Sequence, residues 1–253
     1  MSKINVNTWE PESSTALTMG ASGDTTTVPS GASLVVASGA TINITGATQT
    51  GFPSAGFSKY TVVVASDATF DLQSGTTKLI IEVQASGGNS GSSGGGGYNG
   101  GSGGGGAYAR KFLSPMVDTD TLNITIGAVP GIGVSGTTTS VASASGTAFT
   151  TISCVGGAGG TSYSGTTQGV GGAGGTLPTT GDFNIGGGGG TNGAVGLSNQ
   201  SGGSFYGIIN QRMVDTAGSG VGPIGYGGGG NASYSSGTGG TGGAAVVIVW
   251  EYK

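Results

Sequence analysis

The chain has no histidine, one cysteine, seven prolines and only 7% charged residues among its 253 positions. Each shortage removes a class of protein. Without histidine there is no Ser-His-Asp or Cys-His catalytic pair and no imidazole zinc ligand. A single thiol, Cys154, cannot form an intrachain disulfide framework. It stands in the strand-like context TAFTTISCVGG, which suits a buried structural thiol. The seven basic residues include one adjacent pair, Arg110–Lys111, and the net charge is −4. That is too little positive charge to release counterions from a nucleic acid. No apolar stretch approaches the 18 or so residues of a membrane span. The opening MSKINVNTWEPESS contains no apolar core of a secretory signal, so none is expected.

What the chain has instead is glycine, 60 residues of it. The glycines gather in runs at 94–97, 103–106, 186–190 and 227–230, separated by segments rich in Val, Ile, Thr and Tyr. Ordering a glycine costs about 0.5–1 kcal/mol more than ordering an alanine. Gly/Ser-rich segments commonly read as flexible linkers. Disordered chains, however, are typically charged and poor in apolar residues, whereas this one has a mean hydropathy of +0.11. Strand-like TKLIIEVQA and AAVVIVWEY also bracket the glycine region. Collagen is excluded, because there is no strict Gly-X-Y period along the chain.

Helical periodicity is missing, apart from a possible turn at 11–16, and glycine and β-branched residues oppose helix nearly throughout. The expected fold is all-β. Residues 1–57 form a short N-terminal β segment with strands at 24–28, 33–37 and 41–45, too thin to enclose a core alone. Such a segment suits intertwining of several copies or anchoring. Residues 58–253 form a β-sandwich or jelly-roll-like domain with strands at 60–65, 69–72, 78–85, 107–113, 121–126, 138–142, 148–154 and 244–252. In DTLNITIGA, Leu122, Ile124 and Ile126 face one way and Asn123 and Thr125 the other. The continuous VVIVW suits a strand covered on both faces.

Extended glycine backbones can form a three-fold helix like polyproline II and pack side by side through N–H···O=C bonds. The glycine runs are therefore expected to form packed, polyglycine II-like rods. Residues that join or flank the rods lie at their rims. Tyr98, Asn99, Tyr163, Phe183, Asn192, Phe205, Tyr206, Tyr226, Asn231 and Tyr234 are the candidate recognition residues there. Each alone reads first as a soluble loop residue; together, aromatics set among Ser, Gly and Asn have the chemistry of binding loops. No catalytic residue, metal ligand or cofactor site is expected. The nearest carboxylate pair, Asp118 and Asp120, fits a polar turn as well as a shared site.

Two stretches carry a resemblance. The opening, with MSKINVNT and then SGDTTTVPSGA, resembles short bacteriophage structural proteins. KYTVVVASDATFDLQSGTTKLIIEVQASGG, the AYARK strand from Ala107, LNITIG from Leu122 and the closing GGAAVVIVWEY resemble the glycine-rich domain of phage tail-fibre and receptor-binding proteins. The motifs are compositional, and FYGIINQRMV within 198–221 is more apolar than a rim loop of that family. The resemblance implies a virion protein, a homotrimer, joined to other tail proteins through residues 1–57. Its glycine-rich domain would contact a bacterial surface glycan or outer-membrane protein. Neither nucleic acid nor membrane insertion is expected. Alternatives are a structural head fibre, a tail-associated polysaccharide depolymerase and, more remotely, an ice-binding or cell-wall protein.

Overall fold

A computed structural model describes residues 56–94, 98–129, 131–194, 199–208, 211–212, 219–233 and 237–253. The expected turn at 11–16, the strands at 24–28, 33–37 and 41–45, and Tyr234 lie outside the described residues. Contacts divide the chain into units 1–52 and 53–253.

The second unit is all-β, with no helix among the described residues. Its strands are β1 (Phe57–Val63), β2 (Asp67–Asp71), β3 (Lys78–Gln84), β4 (Tyr108–Leu113), β5 (Thr121–Thr125), β6 (Thr139–Ser145), β7 (Ile152–Cys154) and β8 (Phe183–Ile185). After four two-residue pieces, β9 (Asn199–Gln200), β10 (Gly207–Ile208), β11 (Gln211–Arg212) and β12 (Ile224–Gly225), the chain ends in β13 (Val246–Tyr252). One antiparallel sheet has the order β1-β13-β3-β4-β8 and a second the order β2-β5-β6-β7; β10 pairs with β12 and β11 with β9.

Alternation explains the core. Leu79, Ile81 and Val83 of β3, Ala109 and Leu113 of β4, and Val247 and Val249 of β13 share one buried cluster with residues of the second sheet, among them Leu122, Ile124, Val141, Ile152 and Cys154. Leu122 and Ile124 are buried while Asn123 and Thr125 are exposed, as their alternation requires. Two expectations need correction. Residues 148–151 carry no strand, so β7 is only three residues long. The VVIVW strand is also not covered on both faces: Val247 and Val249 are buried, but Ile248 and Trp250 face the other way and are half-exposed. Burial pushes the Cys154 thiol up to about 12, so it has little thiolate at neutral pH and is inert. Its Sγ lies 3.4 Å from the Val83 carbonyl, bridging the two sheets.

Beyond this core the strands run on as glycine rods. β3 continues into 85–94, β7 into 155–163 and β8 into 186–194, while 98–107 leads into β4 and 237–244 into β13. The hydrogen bonds of the central rod fix its conformation. The amides of Gly101, Gly104 and Ala107 donate to the carbonyls of Thr161, Ala158 and Val155; those of Ser102 and Gly105 to Thr191 and Gly188; those of Gly103 and Gly106 to Gly230 and Gly227. All seven are 2.7–3.0 Å long. A β-strand directs its bonds alternately to two neighbours. Here the direction repeats every third residue and reaches three neighbours, the signature of a three-residue turn.

The carbonyls of the same rod serve three more neighbours. Those of Asn99, Ser102 and Gly105 accept from Gly169, Gly172 and Gly175; those of Gly101, Gly104 and Ala107 from Gly91, Gly88 and Ala85; that of Gly103 from Gly202. One rod is thus bonded to six others. At the glycines of this rod no Cβ fits: one built on Gly104 would lie 2.0 Å from the Ala173 oxygen, and one on Gly105 2.0 Å from the Gly203 oxygen. The same lack of side chains lets the two sheets converge. Packed sheets ordinarily stand about 10 Å apart, yet at the end of the core the Ala107 amide bonds directly to the Val155 carbonyl at 3.0 Å. The rods therefore form a lattice, and the described residues between 155 and 244, a stretch that separates β7 from the last strand, supply most of it.

A period of three also selects which lattice positions tolerate side chains. VGGAGGT occurs at 155–161 and again at 170–176, and TGGTGGA at 238–244. In these segments the non-glycine residues fall on one outward row. Val155, Thr161, Val170, Ala173, Thr176, Thr238, Thr241 and Ala244 are exposed and Ala158 is half-exposed.

Candidate functional site

Of the described recognition residues, all but Asn99 and Asn231 fall into two groups, one at each end of the lattice. At the end remote from the sheets, Tyr98 opens the central rod and Tyr163 closes 155–163. Their rings stack at 4.9 Å and 12°, an offset arrangement worth roughly 0.5–1.5 kcal/mol beyond burial. Tyr163 is held in place because its amide donates to the Ser92 carbonyl. Beyond it the chain reverses through a Ser164–Thr167 bridge, with Gly165 at φ +62°, a conformation that favours glycine. The Tyr163 ring packs where a Cβ on Gly94 would stand, 2.0 Å away. Asn192 is exposed at the same end, its Oδ1 accepting the Gly171 amide at 2.8 Å.

Two expected rim residues are inside. Asn99 is 1% and Asn231 2% exposed. Asn99 Nδ2 donates to the Ala194 carbonyl at 2.5 Å, and the Asn231 carbonyl accepts from Ser90 Oγ at 2.6 Å. The Asn99 side chain thus serves a rod carbonyl in a site closed to water.

The second group lies where rods meet strands. Phe183 is not in a loop: it pairs with Arg110 across β8 and β4. Phe205 stacks on Tyr108 at 4.0 Å, Tyr206 meets Tyr108 edge-on at 5.6 Å, and Phe183 meets Tyr108 edge-on at 6.1 Å. The half-buried Tyr226 joins this end through its backbone, its amide donating to the Tyr206 carbonyl. At the centre is Glu82, a residue the sequence reading passed over. Tyr108 Oη donates to Glu82 Oε2 at 2.7 Å, Tyr206 Oη donates to the same oxygen, and Trp250 Nε1 donates to Oε1 at 2.9 Å. Burial, then the hydrogen bond and charge of Glu82, raise both tyrosine pKa values well above the ordinary phenol. Both phenols stay protonated and act as donors.

Beside this cluster is a cleft of about 300 Å³ lined by Ile80, Arg110, Phe112, Asp182 and Phe183. Arg110, Phe112 and Asp182 were also not among the recognition residues expected from the sequence. The strand alternation of KLIIEVQ and YARKF was the available signal, since it sets Ile80 and Glu82 beside Phe112 and Arg110 on the face away from the core.

Asp118 and Asp120 do not form a joint site. Asp118 Oδ2 accepts the Gly75 amide at 2.8 Å, while Asp120 accepts the Val117 and Thr147 amides, each at 3.0 Å. Burial alone would raise the Asp120 carboxyl, but these bonds and the Thr147 side chain together hold it below the usual range. Both carboxylates tie turns. No cluster of three or more His, Cys, Asp or Glu suited to a metal exists among the described residues. No described helix is long and apolar enough to cross a membrane.

The architecture defines a class, an all-β protein whose two sheets extend into a hydrogen-bonded polyglycine lattice. No protein-family model matches the chain, and a search among curated proteins returns no match.

Proposed function

We propose that this protein is an adhesive component of a bacteriophage virion, a tail fibre or tail-tip protein whose glycine-rich domain attaches to the host cell surface. The reading rests on the resemblance of its two sequence stretches to phage structural and receptor-binding proteins. The observation that carries it is the lattice. The described rods that carry Tyr98, Tyr163 and Asn192 to its remote end are pinned by a backbone bonded to several neighbours. Aromatic and polar groups such as Tyr98, Tyr163 and Asn192 are thereby presented with little entropy left to lose on binding. A homotrimer joined to other tail proteins through residues 1–57 would add weak contacts by multivalency. Adhesion to a surface glycan or an outer-membrane protein is the proposed event, in the assembled virion, without catalysis or a cofactor.

Adsorption competition tests it. Host cells pre-incubated with the recombinant full chain are expected to adsorb the phage at least about ten-fold more slowly, because occupied receptors are no longer available. Unchanged adsorption at saturating protein would contradict the proposal and favour a structural fibre elsewhere on the particle.

A further inference from the structure

The cleft beside Glu82 has its own chemistry, and it lies at the opposite end of the lattice from Tyr98 and Tyr163. Phe112 is 53% exposed, and no other aromatic ring stacks on it among the described residues. Arg110 is exposed and lies over the Phe183 ring at 5.6 Å. It forms no ion pair among the described residues. Asp182 is anchored by one oxygen, Oδ2, which accepts the Phe112 amide at 2.7 Å; its other oxygen stands 4.0 Å from Lys111 Nζ. Lys111 is itself held, donating to the Thr180 carbonyl at 3.0 Å. A flat apolar ring, a fork of donors and a fixed acceptor therefore converge on one opening.

We infer that this cleft binds a neutral pyranose, one hexose unit of a surface glycan, with the ring's C–H face on Phe112 and its hydroxyls shared between Arg110 and Asp182. The inference rests on the adhesive reading and names its ligand class. Each element has a reason. An aromatic face accepts the apolar face of a sugar. Vicinal hydroxyls are both donors and acceptors, so they satisfy a guanidinium and a carboxylate at once. A neutral ring is favoured because the Arg110 and Asp182 charges on this opening offset each other, so an acidic sugar would bring in a charge the site does not balance. The volume is at the small end of ligand sites, which span roughly 300–1,000 Å³, and suits a single ring. Glu82 stands behind the site as a positioning residue: through Tyr108 it holds the aromatic wall against which Phe183 and Phe205 pack.

The test uses the full chain on an array of bacterial surface glycans containing neutral-hexose and uronate-bearing members. Wild type is expected to bind neutral-hexose glycans and to prefer them to acidic ones. Phe112→Ala, Arg110→Met and Asp182→Asn are each expected to weaken binding about ten-fold or more. All three positions are on the surface of a strand or an edge, and native Cys154 burial against a thiol reagent checks that each variant is folded. Absence of neutral-hexose binding, a preference for uronates, or full binding by Phe112→Ala would overturn the assignment. The same variant separates the two claims. If wild type blocks phage adsorption and Phe112→Ala blocks it equally well, the cleft is not the contact and the adhesive reading stands. If wild type binds neutral hexoses through Phe112 but leaves adsorption unchanged, the cleft stands and the adhesive reading falls.

Discussion

Gly104→Ala is expected to abolish the lattice, lowering stability by more than about 4 kcal/mol, the range reserved for exceptional single substitutions. The added Cβ would lie 2.0 Å from the Ala173 oxygen and 2.5 Å from its carbonyl carbon. Both are backbone atoms, so no rotamer change relieves the overlap. Separating the rods by the required ångström breaks bonds on several sides, because Gly104 donates to Ala158 and accepts from Gly88. Each lost bond in a site closed to water costs about 1–3 kcal/mol. Gly189→Ala supplies the control. Its Cβ meets nothing nearer than 3.7 Å, and alanine narrows the unfolded ensemble, so the change is expected to stabilise by roughly 0.4–1 kcal/mol. Equilibrium denaturant unfolding of both variants reads the contrast. Comparable small effects at the two positions would mean that the rods are not in contact.

The second large effect is expected at Glu82. Replacing it by alanine strands two phenols and an indole, all three of which donate to its carboxylate. With an unsatisfied buried donor costing about 1–3 kcal/mol, and less at the half-exposed Tyr206 and Trp250, a loss of about 3 kcal/mol is expected. Glu82→Gln is expected to lose somewhat less, since its carboxamide keeps one acceptor but presents a donor to groups that also donate. A pH signature accompanies the change. Tyr108 and Tyr206 have folded pKa values above the ordinary phenol, so they contribute stability that is complete below about pH 10 and is lost as pH rises further. Without the carboxylate one source of that upward shift disappears. Phenolate absorbance should then develop at lower pH in native Glu82→Ala than in native wild type. Identical titration curves would show that Glu82 does not hold these hydroxyls.

Much of this fold was legible in the sequence because strand patterning is local. Alternation in LNITI located β5 and the core residues it contributes, and the strand-like run TKLIIEVQA located β3. β8 escaped because FNI is three residues long and is flanked by glycine, so it carries no period of its own and exists through pairing with β4. The lattice was legible as a possibility from glycine runs, but its geometry was written elsewhere. The repeated VGGAGGT segments, with one side chain per three residues, encode the three-fold turn more directly than the pure runs do. The recognition residues were harder. Asn99 and Asn231 look like loop residues because asparagine favours turns, and only the six-fold packing makes their burial necessary. Glu82, Phe112 and Asp182 come from three distant stretches, and only sheet pairing brings them to one face.

Amide hydrogen exchange on the central rod is the most direct measurement of the account. With each amide of 101–107 bonded to a different neighbour in turn, the glycines there should exchange only through large-scale opening, orders of magnitude more slowly than in a free peptide. Gly189, whose amide has no backbone acceptor among the described residues, should exchange quickly in the same sample. Free-peptide rates at Gly103, Gly104, Gly105 and Gly106 would contradict the lattice and everything built on it.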